Sequence, residues 1–191
     1  MADAVAVGPG IGMEKQKLDI LTYVLEHADI PVILDADALN LTARYQLSLS
    51  DYSVSLAVTP HLGEMARLCS TDISNIASDL ISSAEEFARS QNVICVLKDA
   101  GTVVSNGNET YINTSGNSGM ATAGSGDVLA GIFVGLTAQG MDLFEAAKLA
   151  VFLHGRAGDQ AALRYGKRSM TSADLIDGLV FILAGSEDKV M

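Results

Sequence analysis

The chain has no tryptophan, few other aromatic residues (5%), three prolines and two cysteines in 191 residues. With so little aromatic mass, any core must be built from Ala, Val, Leu and Ile. Two cysteines, Cys69 and Cys95, cannot form a disulfide framework. Their apolar surroundings predict buried, reduced thiols. Positive charge is also scarce: 12 Lys and Arg stand against 23 Asp and Glu, a formal net charge of −11. This excludes non-specific binding to nucleic acid or acidic membranes. No apolar run is long enough to cross a bilayer, and no basic-plus-apolar leader is seen, so a cytoplasmic protein is expected. Hydrophobic content of 49% with 18% charge is that of a folded chain, large enough for one sizeable core.

What the chain does have is glycine, concentrated where strands end. The richest stretch is NTSGNSGMATAGSGD at 113–127. Gly116, Gly119, Gly124 and Gly126 let the backbone turn tightly and expose N–H groups. The apolar helix predicted over 127–139 adds free donors and the positive end of its dipole. Such a combination is an anion site, most often for phosphate. Asp127 lies in the first helical turn, where a substrate hydroxyl could reach it.

The rest of the chain reads as β-α repeats. Strand 4–7 leads through GPGIG (8–12) into a helix over 13–28. That turn is either a tight βα connection or a close approach of backbone to ligand. Strand 31–34 ends in DADALN (35–40), where Asp35 or Asp37 either helps hold magnesium through water or caps the next helix. Strand 54–58 ends in TPHLGEMAR (59–67). His61, at a strand end, is read as a ligand contact. Glu64 acts through a metal or water, or as an acid at a helix start. One continuous helix is predicted over 74–90. The apolar strand 93–97 delivers Lys98, a candidate phosphate group beside a glycine turn. Strands 102–105 and 109–112 pair as a hairpin. Helices over 143–165 and 175–184 follow, the second opened by a capping-box-like Thr171-Ser-Ala-Asp174. His154 is read as a structural residue inside an apolar helix. The order predicts one α/β domain over 1–191, a mostly parallel three-layer sheet with an antiparallel edge.

GPGIG, DADALN, TPHLGEMARL (59–68), KDAGT (98–102) and NSGMATAGSGDVLAG (117–131) together resemble the ADP-dependent NAD(P)H-hydrate dehydratases. These are the carbohydrate-kinase-like C-terminal domains of the nicotinamide nucleotide repair enzymes, in the ribokinase-like superfamily. The GSGD element alone indicates only the superfamily, whereas the 59–68 and 117–131 segments together are specific. The resemblance implies a ribokinase-like α/β/α sandwich that dehydrates NADHX and NADPHX with ADP (ATP in eukaryotic members) and magnesium. It implies that Lys98, Asp99, Ala100, Gly101, Thr102, Gly124, Ser125 and Gly126 hold the nucleotide. Gly10 and segment 61–67 would contact the hydrate, and Asp127 would face its hydroxyl as the base. Asp99 stands where the family pattern has glycine and adds a negative charge near a nucleotide phosphate. About the first third of the family domain has no counterpart in the 191 residues. The expectation is therefore a shortened domain whose open sheet edge is covered by self-association into a homo-oligomer. A small-molecule kinase and a non-catalytic nucleotide-binding remnant are the alternative readings.

Overall fold

The structure is a computed structural model, and it describes residues 2–187. Its centre is a six-stranded sheet in the order β1 to β6. The strands are β1 (Val5–Val7), β2 (Val32–Leu34), β3 (Leu56–Val58), β4 (Ile94–Leu97), β5 (Val103–Ser105) and β6 (Thr110–Ile112). The first four run parallel, and β5 and β6 add an antiparallel edge.

Strand periodicity divides the core into two layers, because successive side chains face opposite ways. Val32, Leu34, Val58, Cys95, Leu97 and Val103 face one side. They pack there against α1 (Lys15–His27), α2 (Asp37–Tyr45), α3 (Leu62–Leu68), α4 (Ile73–Ser78) and α5 (Leu80–Gln91). Ile33, Ala57, Val96 and Val104 face the other side, against α6 (Ser125–Ala138) and α7 (Leu143–Tyr165). A last helix, α8 (Ser172–Glu187), packs along α7 over Ala161, Met170 and Leu175. The predicted three-layer sandwich with a hairpin edge is what forms.

Some local expectations change. The helix predicted over 74–90 is two helices. Asp79 leaves helical geometry at φ −152°, and its carboxylate accepts from the Ser82 N–H and hydroxyl at 3.0 and 2.7 Å. A good N-cap here outcompetes continuation of the helix. Cys95 is buried as expected, but Cys69 is exposed, because it falls at the C-terminus of α3. Both thiols are free.

At the C-terminal end of β1 the chain passes unusually close to its neighbour. Gly8 has φ +134°, and a methyl group there would lie 1.7 Å from the Asp35 carbonyl oxygen. No side chain fits, and the backbone conformation itself disfavours one. This approach brings the 8–12 turn against the Asp35 turn, where the Gly12 N–H donates to Asp37 Oδ2 at 2.9 Å.

Gly8→Ala is therefore expected to cost about 3 kcal/mol or more, a fall in Tm of roughly 6–12 °C for a chain of this size. Gly135 lies within α6 with nothing within 4 Å of its open side. Gly135→Ala should stabilise by about 0.5–1 kcal/mol. Thermal melts of the two variants beside wild type check both; equal Tm values for Gly8→Ala and wild type would refute the close approach.

Candidate active site

The parallel strands deliver their loops to one edge of the sheet, the usual ligand edge of an open α/β sheet. Backbone bonds hold these loops together. Asp35 N–H donates to Val7 O (3.0 Å), Thr59 N–H to Leu34 O (3.0 Å) and Lys98 N–H to Pro60 O (2.8 Å). His61 and Lys98 form a single parallel bridge beyond the ends of β3 and β4.

Within this edge, Asp35 is 2% exposed and its Oδ1 accepts from Lys98 Nζ at 2.7 Å. Asp35 does not cap the next helix: it pairs with a lysine 63 residues away. Asp37 instead holds the Gly12 amide. The intervening Ala36 has φ +50° and ψ −117°, a strained conformation for a residue with a side chain. It sends the two carboxylates to different partners.

The Lys98–Asp35 pair sits at the start of α6. A methyl at Gly126 would lie 3.4 Å from Lys98 Nζ and 4.0 Å from Asp35 Oδ2. Gly124, at φ +83°, makes the turn into the helix. Not all the amides of the glycine loop are open: Ser125 N–H donates to Thr122 O at 3.2 Å, and Val128 N–H to Gly124 O at 3.1 Å. Among the described residues the N–H groups of Gly126 and Asp127 make no hydrogen bond. These two donors, the dipole of a 14-residue helix and the lysine form one anion-favouring field. The Asp127 carboxylate is exposed, and it has no hydrogen-bond or ion-pair partner among the described residues.

His154 belongs here, although the sequence suggested only a structural role. It comes from α7, and its Nε2 is 3.3 Å from Ser125 Oγ. Burial pushes its pKa down to about 4; the bond with Ser125 opposes the shift, and the charge of Lys98 adds to it. His154 is therefore neutral near pH 7. Asp159, one helical turn on, accepts from the Gly116 N–H (3.1 Å) and from Asn117 Nδ2 (3.2 Å). Gly155 and Gly158 lie between them. A methyl at Gly155 would come within 2.1 Å of Ser115 Oγ, and one at Gly158 within 2.2 Å of Met120 Sδ. The loop thus seats in a recess of α7. The spacing of His154, Gly155, Gly158 and Asp159 puts all four on one helical face, a signal that sequence reading passed over.

His61 is the N-cap of α3. Its Nδ1 accepts from the Gly63 N–H (2.9 Å) and the Glu64 N–H (3.3 Å), and Glu64 Oε2 accepts from the His61 N–H (2.8 Å). This reciprocal capping box starts α3. With Nδ1 accepting, the ring proton is assigned to Nε2. That edge stays reachable, since the side chain is 54% exposed. Glu64 is different. It is buried, with Oε2 on the His61 amide and Oε1 3.5 Å from His61 Nε2, so it serves the cap and is not a free metal ligand. Among the described residues no group of three or more His, Cys, Asp or Glu could hold a metal.

The 98–102 turn is closed by Thr102 Oγ1 donating to Asp99 O at 3.2 Å. Asp99 and Ala100 are exposed, Gly101 and Thr102 partly so. Gly10 is exposed at φ +67° with open space beside it.

Residues 1–180 match the family of NAD(P)H-hydrate dehydratases. A bifunctional NAD(P)H-hydrate repair enzyme from Moorella thermoacetica is 42% identical over 189 residues, covering 98% of this chain and 36% of the relative. The chain thus spans about a third of the length of such bifunctional relatives. A solved ADP/ATP-dependent NAD(P)H-hydrate dehydratase from Bacillus subtilis, co-crystallised with ATP and Mg2+, superposes with a TM-score of 0.87. It is 28% identical, covering 96% of this chain and 64% of that one. A ribokinase-like superfamily protein from Enterococcus faecalis superposes at 0.82, also 28% identical, covering 96% of this chain and 63% of that one.

Two outcomes follow from the geometry. An ordinary histidine protonates near pH 6.5, but folded His154 resists until about 4. Between those values the unfolded chain takes up a proton that the fold refuses. The stability contribution is therefore complete above pH 6.5 and falls by up to about 1.4 kcal/mol per unit as pH drops toward 4. Urea titrations across this range should show a shallower pH slope for His154→Gln than for wild type; identical slopes would remove His154 as the source. Lys98→Met leaves buried Asp35 without a partner and should cost about 2–3 kcal/mol, at the modest end because the lysine is partly exposed. Adding Asp35→Asn should recover much of that loss in the same denaturation experiment.

Proposed function

Because the chain belongs to the NAD(P)H-hydrate dehydratase family, we propose that it removes water from NADHX and NADPHX, using ADP, to restore NADH and NADPH. One observation carries the reading. Within a single turn of α6, open backbone donors at Gly126 and Asp127 stand beside an exposed, unpartnered Asp127 carboxylate, with Lys98 adjacent. A phosphate acceptor site and a base are thereby one residue apart.

Hydroxide is a poor leaving group, and phosphate a far better one. In the proposed reaction the hydrate's hydroxyl gives its proton to Asp127 as its oxygen attacks the terminal phosphorus of ADP, releasing AMP. The amides of Gly126 and Asp127 and the Lys98 ammonium stabilise charge on the phosphoryl oxygens as it passes across. The ring C–O bond of the new ester then breaks as a ring proton is lost, giving the dihydropyridine and inorganic phosphate. Neutral His154 contributes no charge to this field, and its contact with Ser125 Oγ supports the turn. The 98–102 turn would hold the nucleotide, and Gly10 with His61 Nε2–H would border the hydrate.

The chain supplies no cage for magnesium among the described residues. The ion would be carried by nucleotide phosphates and water, its usual preference, and would offset their charge. A cytoplasmic homo-oligomer completes the reading. The exposed Ile176, Val180 and Phe181 on α8 support self-association.

The test is incubation with NADHX, ADP and magnesium, following recovery of NADH absorbance and release of AMP and phosphate. Absence of both turnover and ADP binding would overturn the reading. A stable phosphorylated product would instead mark a small-molecule kinase. Asp127→Asn should lower kcat by about 10²–10⁴-fold while ADP affinity stays within about twofold; normal turnover by this variant would remove Asp127 as the base.

A further inference from the structure

An open cleft with a volume of about 550 Å3 is lined by Met13, Asn40, Ala43, Arg44 and Arg67. That volume is in the range of small-molecule sites. Three of the chain's motifs border it: Met13 follows the 8–12 turn, Asn40 ends DADALN, and Arg67 lies within the 59–68 segment. Two arginines and no acid line it, in a chain with 23 acidic and 12 basic residues.

The arginines stand in the last turns of α2 and α3, where a cation complements the helix dipole. That role alone leaves their donors unexplained. Neither guanidinium has a carboxylate within 4.0 Å among the described residues. Arg67 is aimed by one bond, Nε donating to Asn40 Oδ1 at 2.9 Å, which leaves its two terminal nitrogens for something else. Arg44 lies over the Tyr45 ring, 5.7 Å from the centroid. A methyl at Gly63 would be 2.9 Å from His61 Cε1 and 3.7 Å from Arg67 Nη1. The imidazole and the guanidinium therefore flank the same glycine, and the cleft continues the edge on which His61 stands.

We infer that this cleft binds the phosphates of the dinucleotide substrate, with Arg44 and Arg67 as their donors. The inference rests on the proposed function for the identity of the ligand. A dinucleotide hydrate with its ring at Asp127 and His61 has a long anionic tail to place. The open forks of two arginines match phosphate oxygens in charge and geometry, while ADP occupies the α6 end.

The test is equilibrium titration with NADPH, the stable dehydrated product, read by its fluorescence, on wild type, Arg44→Gln, Arg67→Gln and Arg67→Lys. Each Arg→Gln change should weaken NADPH about tenfold, Arg67→Lys should recover part of the loss, and ADP affinity should not move. Parallel titration with NADH separates two sources of the phosphate. Loss with both ligands assigns the diphosphate, and loss with NADPH alone the 2′-phosphate; either result supports the inference. Unchanged NADPH affinity in both Gln variants, or no NADPH binding by wild type, overturns it. Turnover of the hydrate is measured separately. Wild-type turnover with unaffected variants sinks the cleft but keeps the reaction, whereas arginine-dependent NADPH binding without turnover keeps the cleft and sinks the reaction.

Discussion

The ion pair between Asp35 and Lys98 is the contact on which the site is assembled. A carboxylate 2% exposed at the end of β2 would be prohibitively placed without a cation. The cation comes from the end of β4, so the pair spans β3 and fixes three strand ends relative to one another. Its net contribution to stability is small, since desolvation of both groups offsets most of their attraction. Its consequence is positional. The same ammonium lies against Gly126 at the start of α6 and adds to the lowering of the His154 pKa that burial on α7 causes. One side chain thereby links the helices on one face of the sheet to the strand ends that carry the ligand loops.

Around this pair the backbone is held before any ligand arrives. Asp159 bonds the Gly116 amide and Asn117, Asn117 Oδ1 accepts from the Gly119 N–H, and the recess at Gly155 and Gly158 receives Ser115 and Met120. Donors oriented in advance need no reorganisation when charge develops, which is the main electrostatic advantage available to such a site. The small residues of α7 thus seat the loop, though none lies at the helix start that offers the donors.

Local patterns in the sequence reveal much of this fold. The apolar strands, the Asn106-Gly107-Asn108 hairpin and the glycine turn into α6 each depend on residues close in sequence, and each forms where expected. What escapes is whatever depends on distant partners. Asp35 and Lys98 are 63 residues apart, and Ser125 and His154 are 29 apart, so neither pairing has a local signal. Asp79 is an instructive local miss. Apolar spacing across 74–90 favours one helix, but a short side chain that can cap overrides that periodicity. Arg44 was invisible for the opposite reason: an arginine on a helix surface is ordinary until the fold sets Arg67 beside it. The charge of His154 also needed the fold, because burial beside Lys98 decides it.

An acidic chain that is to bind a polyanion must confine its attraction to short range. At a net charge of −11, the long-range field repels nucleotides and does not steer them. On the proposed reading the two ends of the site solve this differently. At α6 Asp35 balances part of the lysine charge, so two amides and a helix start make the rest of the field largely dipolar. Such a field falls off within a turn and is weakly screened because it acts in contact. The Arg44–Arg67 cleft instead has two unbalanced charges on exposed side chains, whose attraction reaches about a Debye length and weakens with salt. The difference suits a site with two anionic ligands. A charged cleft discriminates by total phosphate charge, and a dipolar helix start by the geometry of one phosphoryl group. Keeping the unbalanced positive charge in that cleft also leaves the Asp127 carboxylate without an ion-pair partner among the described residues.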